Sequence, residues 1–417
     1  MKRQPVITGL GIVSPIGVGV EKFWAAACAG QSGVGAPTLF DASKLHAQCR
    51  VVGEVRDFDP RKWMPGHAYR MAGRFSQFAV ATATMARSDS RIQDTEIPTE
   101  RFKVAIGTSM NGLTDVHQPN FQGFINGRDI QSWASIEFPA HAATNHVATS
   151  SGVHGQTMTF ATACIAGLDA IAWAADEIRC DRAAVVIAGA TETPLSECTV
   201  AACQASGVLS AWPGPPDEAS RPFDRLRSGL VIAEGAAATI VEEEDDARAR
   251  GAKIYARILG FGSASDGGNL RKIDRSGEAI AHAMIEALTN SGLGPTDIDY
   301  ICAHGNSMVD YDAAETAGIK RTFGSRAWSI PISSLKSMCG QALAASSAIQ
   351  LVAACLVIRH GIVPPTINYQ VPDPECDLDY VPNVARKVRV RNVLVHAQSI
   401  GGSHAALILS DPTNNPA

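Results

Sequence analysis

Thr157-Met-Thr-Phe-Ala-Thr-Ala-Cys164-Ile-Ala-Gly-Leu-Asp-Ala-Ile-Ala-Trp-Ala-Ala175 is the stretch on which the reading of this chain turns. A β-branched and apolar run, Thr157–Ala163, meets a cysteine directly. Small and apolar residues then follow at helical spacing. The pattern predicts a strand, a sharp turn, and a thiol in the first turn of a buried helix. Ala166 and Gly167 leave room for another backbone to approach closely. Partial positive charge at a helix N-terminus favours a thiolate, so Cys164 is expected to be an ionisable nucleophile. A cysteine in a chain of this kind is ordinarily a buried structural residue. Cys164 differs from the other nine because candidate partners can be found for it.

His304 follows an expected strand in Tyr300-Ile-Cys-Ala-His-Gly-Asn-Ser and opens a glycine-containing loop. A neutral imidazole there can donate to a carbonyl or assist a nucleophile. Lys336 stands alone between serines, ahead of a helix of tiny residues. It reads either as a solvated surface lysine or as a buried, paired one. Ser399-Ile-Gly-Gly-Ser403 is a glycine-rich loop after a buried strand, able to present backbone N–H groups to an oxyanion.

Outward from these segments, β-rich runs alternate with helical ones. Strands are expected at Val6–Thr8, Lys103–Gly107, Thr157–Phe160, Ala183–Gly189, Ala236–Val241, Asp299–Cys302, Val393–His396 and Ala405–Leu409. Helices are expected at Phe75–Ala86, Cys164–Ile178, Gly277–Ser291 and Leu343–His360, the last two stopped by Gly292 and Gly361. Such alternation is that of an α/β protein with helices covering sheets. A faint echo links Gly235-Ala-Ala-Ala-Thr-Ile-Val with Gly402-Ser-His-Ala-Ala-Leu-Ile-Leu, as expected of two related halves joined near Glu242–Gly251.

The 417 residues carry a formal charge of -5, which argues against a nucleic-acid-binding surface. No apolar run approaches membrane-spanning length, and Met1-Lys-Arg-Gln-Pro5 leads straight into a strand, so no signal peptide and a cytoplasmic location are expected. Ten cysteines are too dilute for a disulfide framework, and no Cys-x-x-Cys or His-x-x-x-His pair supports a metal site. Gly9-Leu-Gly11 lacks the third glycine and acidic partner of a dinucleotide fingerprint.

In order along the chain stand Val6-Ile-Thr-Gly-Leu-Gly-Ile-Val-Ser-Pro-Ile-Gly17, Thr162-Ala-Cys164, Arg221-Pro-Phe-Asp-Arg225, Ala233-Glu-Gly235, Ala303-His-Gly305, Glu315-Thr316, Leu335-Lys-Ser-Met-Cys-Gly340 and Gly401-Gly402. This series resembles the β-ketoacyl-acyl-carrier-protein synthases, in particular the elongating branch of bacterial type II fatty-acid and polyketide systems, from about Val6 to Ser410. The resemblance implies an α/β thiolase fold of two pseudo-symmetric halves in αβαβα layers. The expected halves are residues 1–250, carrying the nucleophile, and 251–417, carrying the histidine, the lysine and the oxyanion loop. It also implies an obligate dimer, no cofactor beyond the phosphopantetheine of an acyl carrier protein, and no metal.

Position by position, the resemblance makes Cys164 the nucleophile and His304 the donor to the malonyl thioester carbonyl. Lys336 becomes a structural lysine paired with Glu315. The oxyanion hole falls to the N–H groups of Cys164 and Ile400, and Met110 falls on the acyl pocket. The departures cluster. The family's second histidine is Gln341, an amide that donates a hydrogen bond but carries no proton. The two gate phenylalanines are Gln398 and Ile400. The pantetheine-contacting threonines are Asn306 and Met308. The resemblance thus points to decarboxylative Claisen condensation in a specialised pathway. Two alternatives stand beside it: a chain-length-factor-like partner within a ketosynthase heterodimer, and an acyltransferase that does not decarboxylate.

Overall fold

The computed structural model describes residues 3–92 and 97–414. Ten strands form its frame: β1 Pro5–Ser14, β2 Phe102–Gly107, β3 Thr157–Phe160, β4 Val185–Glu192, β5 Gly235–Glu243, β6 Ala256–Ser265, β7 Tyr300–Cys302, β8 Ile332–Ser333, β9 Asn392–Gln398 and β10 Ser403–Ser410. The first five lie side by side in the order β3-β2-β4-β5-β1 and the second five in the order β8-β7-β9-β10-β6. Numbered within its own half, each set reads 3-2-4-5-1. In each, three parallel strands are followed by two antiparallel ones. The halves join where β1 meets β6 antiparallel, at Val6 opposite Arg257 and Ile7 opposite Ala256. The two echoing sequences are β5 and β10, the fifth strand of each half.

Five helices fix the layers: α1 Arg74–Ser90, α2 Ala166–Arg179, α3 Glu278–Ser291, α4 Val309–Phe323 and α5 Ala345–His360. Helix α1 covers β1 and β5 on one outer face, and α3 covers β6 and β10 on the other, with α4 beside it. Helices α2 and α5 pack on each other between the half-sheets. Residues Ala345–Ile358 of α5 are buried all round, as a helix in a middle layer must be. Three apolar cores fill the gaps between layers. The central one holds Leu168, Ile171, Ile349 and Val352; the outer two hold Phe75 with Val104, and Met284 with Ile319. This is the αβαβα thiolase fold.

Glycine sets the spacing at the points of closest approach. A Cβ on Gly9 or Gly11 of β1 would stand 2.0 Å from the carbonyl oxygen of Ala86 or Thr82 in α1. The same arrangement recurs in the second half, where a Cβ on Gly260 or Gly262 of β6 would lie 2.2 or 2.3 Å from the oxygens of Ala287 and Ala283 in α3. Gly9-Leu-Gly11 is therefore a seat for a helix. At the centre, a Cβ on Gly167 would lie 2.7 Å from the Ala348 nitrogen, which lets α2 cross α5 directly behind the cysteine. Among the described residues no helix is long and apolar enough to cross a membrane.

Candidate active site

Strand β3 ends at Phe160, and the chain reverses through Ala163, a non-glycine residue at φ 54°. A 3-10 turn, Ala163–Ile165, then leads into α2. Left-handed backbone on a residue with a side chain costs about 1–2 kcal/mol. It is retained where the surrounding structure over-determines it, typically at functional sites. Ser307, Gly340, Leu343, Gly401 and Gly402 also have positive φ, and all lie in the loops that carry the other candidate residues.

The turn leaves Cys164 only 5% exposed. Gln341 Nε2 donates to its sulfur at 3.0 Å, while Ser346 Oγ donates to Gln341 Oε1 at 3.3 Å and so orients the amide. The Ile400 backbone N–H reaches the same sulfur. The expected thiolate is corrected by this burial. Desolvation pushes the Cys164 thiol up to about 11, against the opposing pull of Lys336, Gln341 and Ile400. These three groups do not offset the loss of water, which leaves the thiol form favoured at neutral pH.

His304 is likewise buried, directly after β7. Its Nδ1 accepts the Gln398 N–H at 3.3 Å, which puts the ring proton on Nε2, and Nε2 has no partner. Burial first, and then the charge of Lys336, hold its pKa well below the ordinary histidine value, so the ring is neutral. Lys336 Nζ donates to the His304 carbonyl at 2.6 Å and to Gln350 Oε1 at 2.9 Å. Burial brings the lysine down to about 8, resisted by the negative charge of Glu315.

The expected Lys336–Glu315 pair is a second correction. Among the described ion pairs none joins them. Glu315 instead accepts the N–H groups of His304 and Gly305 at 2.6 and 2.7 Å and the His396 ring at 2.5 Å. Burial works to raise its pKa, but His396 and the two N–H groups outweigh it and leave a carboxylate. Lys336 finds neutral acceptors because Gln350 reaches across from α5. The Gln350 amide also donates to the Ala303 and His396 carbonyls, tying β7 to β9.

The remaining expected residues surround this centre. Gln398 is wholly buried, and its side chain donates to the Tyr311 carbonyl at 3.1 Å, which anchors the base of the Ser399–Gly402 loop to α4. The Ile400 side chain projects outward, 44% exposed. Asn306 is buried and caps its own turn, with Oδ1 accepting the Met308 N–H. Met308 packs between two apolar clusters. The Met110 N–H is held by Glu192, a buried carboxylate that also accepts the N–H groups of Ser109 and Ala344 and lies close enough to Cys164 to raise its pKa.

Glu192, Gln350, His396 and His404 escaped the sequence reading. A signal existed for two of them. Gln350 is a lone amide in an apolar helix, and His396 interrupts an apolar strand. Groups like these, isolated in buried elements, need partners.

A buried thiol, a neutral imidazole donor, an amide donor and a glycine-rich oxyanion loop at the meeting point of two thiolase halves define the class: an acyl-transferring, condensing active site. Residues 3–247 match the family model "Beta-ketoacyl synthase, N-terminal domain" and residues 255–370 match "Beta-ketoacyl synthase, C-terminal domain". The chain belongs to the β-ketoacyl synthase family. It is 38% identical to the tetracenomycin polyketide synthase ketoacyl synthase alpha subunit of Streptomyces glaucescens, over 99% of this chain and 98% of that one. It is also 38% identical to 3-oxoacyl-[acyl-carrier-protein] synthase 2 of Coxiella burnetii, over 98% and 99%. Among solved structures it is similar to the ishigamide ketosynthase/chain length factor, with a TM-score of 0.91 and 31% identity over 98% of this chain and 99% of that one.

Proposed function

We propose that the protein is a β-ketoacyl-acyl-carrier-protein synthase of a specialised polyketide or fatty-acid-like pathway, and that it performs decarboxylative condensation with an amide in place of a second histidine. The observation that carries this is the convergence on one sulfur of the Gln341 amide at 3.0 Å and the Ile400 N–H, with the retained neutral His304 accepting the N–H of Gln398 two residues before Ile400.

Cys164 attacks an acyl thioester carried on the phosphopantetheine arm of an acyl carrier protein. The new S–C bond forms as the old one breaks, and the thiol proton leaves on the departing pantetheine sulfur. The N–H groups of Cys164 and Ile400 hold the oxyanion. A malonyl thioester then enters. Its C–C bond breaks, carbon dioxide departs, and the enolate oxygen is held by His304 Nε2–H and the Gln341 amide. The enolate carbon attacks the acyl-Cys164 carbonyl. Collapse releases the β-ketoacyl thioester and a thiolate that takes a proton from solvent.

Lys336 and Glu315 act by fixing the His304 turn. Met110 is assigned to the acyl pocket, Gln398 and Ile400 to its entrance, and Asn306 and Met308 to the pantetheine arm. In this reading residues 1–250 supply the nucleophile and 251–417 the donors. The protein is taken to be cytoplasmic and dimeric. Exposed Phe121, Phe124, Ile125, Ile136 and Phe138 offer a surface for a second ketosynthase-like subunit or a second copy.

The test is incubation with an acyl-loaded carrier protein, intact-mass measurement of Cys164, and then addition of malonyl-carrier protein. Loading followed by a β-ketoacyl product supports the proposal. Absence of loading gives the chain-length-factor role, and loading without carbon dioxide release gives the non-decarboxylating acyltransferase.

A further inference from the structure

Glu192 ends β4, is wholly buried, and takes its hydrogen bonds from neutral donors. Its Oε1 accepts the Met110 N–H at 2.9 Å and the Thr108 hydroxyl at 3.3 Å. Its Oε2 accepts the Ser109 N–H at 2.7 Å and the Ser109 hydroxyl. Three consecutive residues of the turn after β2 are thus wrapped around one carboxylate. An ionised carboxylate only accepts, with about four lone-pair sites, and donors fill them. Burial raises the Glu192 pKa, and these donors oppose the rise.

Burying a charge without a cation is costly, and closing the turn does not require it. Within the turn the Asn111 N–H already donates to Thr108 Oγ1 at 3.2 Å. What the carboxylate adds is an anchor beyond the end of the sheet. The ladder between β2 and β4 stops at Gly107 opposite Ala190, three residues short of Met110. The same turn abuts the loop of the nucleophile. The Thr108 N–H donates to the Phe160 carbonyl at 2.9 Å, and a Cβ on Gly107 would stand 2.7 Å from the carbonyl of Ala166, two residues past Cys164. Beyond those ties, Glu192 fixes where Met110 stands relative to the sulfur.

Resting on the assignment of Met110 to the acyl pocket made above, we propose that Glu192 is a positioning residue for acyl-chain selection. It clamps the Thr108–Met110 turn and so sets the point at which Met110 stops the chain carried by Cys164. Glutamine has the same size but brings two N–H donors to a place where donors already converge. One of its two ends then faces donors with a donor, and either the Ser109 or the Met110 N–H loses its acceptor. Met110 is only half-buried, so a released turn can yield to a chain that the clamped one refuses.

The test uses the full-length protein and a ladder of saturated acyl-carrier proteins, acetyl to dodecanoyl, offered two at a time in one tube. Intact mass of the acyl-enzyme gives the ratio in which the two chains load on Cys164. A ratio taken within one sample is independent of how much of a variant is folded, so a merely structural role would not move it. Wild type should show a chain length beyond which loading drops. In Glu192→Gln, loading of the first excluded chain relative to the last accepted one should rise about tenfold. Met110→Ala should raise the same ratio, and the double variant should match Met110→Ala, because the carboxylate acts through that residue. Should Glu192→Gln fail to fold, Ser109→Ala decides: it removes one donor, leaves the charge in place, and should move the ratio the same way by a few-fold.

A ratio that Met110→Ala moves and the Glu192 or Ser109 variant does not, or effects that simply add in the double variant, overturns the inference. A ratio that Met110→Ala leaves alone overturns the pocket assignment, and wild-type protein that takes no acyl group overturns the condensing role; each of these removes the clamp's function with it.

Discussion

Replacing Gln341 by leucine keeps the volume of the side chain and deletes its amide. Two contacts disappear: the 3.0 Å donation to Cys164 Sγ, and the acceptor that Ser346 Oγ uses at 3.3 Å. The serine hydroxyl can rotate to a main-chain oxygen of its own helix, so the stability cost is modest. The catalytic cost differs, because the amide faces negative charge only once the enolate forms. A hydrogen bond to a charged group is worth about 1.5–3 kcal/mol, and each 1.36 kcal/mol of lost transition-state stabilisation is tenfold in rate. Carbon dioxide release from malonyl-carrier protein should therefore fall about 10- to 150-fold. Acylation of Cys164, whose oxyanion is held by main-chain N–H groups, should change no more than a few-fold. Mass spectrometry of the acyl-enzyme and a coupled carbon dioxide assay read the two steps separately. Decarboxylation within twofold of wild type would remove Gln341 from the mechanism, and an equal loss in both steps would make it a positioning group for the sulfur. The companion Gln341→His should raise condensation and leave acylation alone. A fall would show an amide adapted to its substrate.

Other consequences are open to measurement. Because burial raises the Cys164 thiol to about 11, its alkylation by iodoacetamide should climb steadily with pH between 7 and 9.5 with no plateau; a plateau near neutrality would contradict the buried thiol. Lys336→Met removes the cation that opposes protonation of His304 and stabilises a thiolate at Cys164. Both groups should then titrate higher, and condensation should fall by about a hundredfold, read from the pH–rate profile beside wild type. Gln350→Leu strips an acceptor from a buried ammonium and donors from two carbonyls. At about 1–3 kcal/mol for each group left unpaired, it should lower the melting temperature by several degrees, and an unchanged melt would refute the stitching role. Gly167→Val drives branched carbons into the Ala348 nitrogen and Ser347 Oγ. It should give insoluble protein, with soluble, fully loaded enzyme as the contrary result.

The fold was largely legible because its strands are apolar and β-branched, a composition that buried parallel strands require. Thr157–Phe160 was read at its observed bounds, and most other strands differ by a few residues at their ends. Strand β8 went unread because its two residues, Ile332 and Ser333, are too short a run to show an alternating pattern; the longer misses share another cause. Strand β6 went unread, and β1 was read as Val6–Thr8 instead of Pro5–Ser14, because Gly9, Gly11, Gly260 and Gly262 interrupt the apolar pattern. Those glycines answer to a helix carbonyl from another layer, which a local window does not contain. At the site, Cys164, His304, Lys336 and Gln341 were visible through their motifs. The thiol's protonation state was not, since it depends on how much water the finished layers exclude. Glu315 was assigned to Lys336 when its nearer partner is His396, a residue 81 positions away that only sheet register brings alongside.

The recurrence of two glycines two residues apart, each against a carbonyl one helical turn from the next, gives both outer helices the same seat. A seat made of missing side chains tolerates almost no substitution, whereas the loops that carry the site lie outside that seat. One copy of the ancestral unit could thus specialise in attack and the other in charge stabilisation while the mould that shaped both stayed fixed. Amide-for-imidazole exchanges such as Gln341 are the kind of experiment that such a division of labour permits.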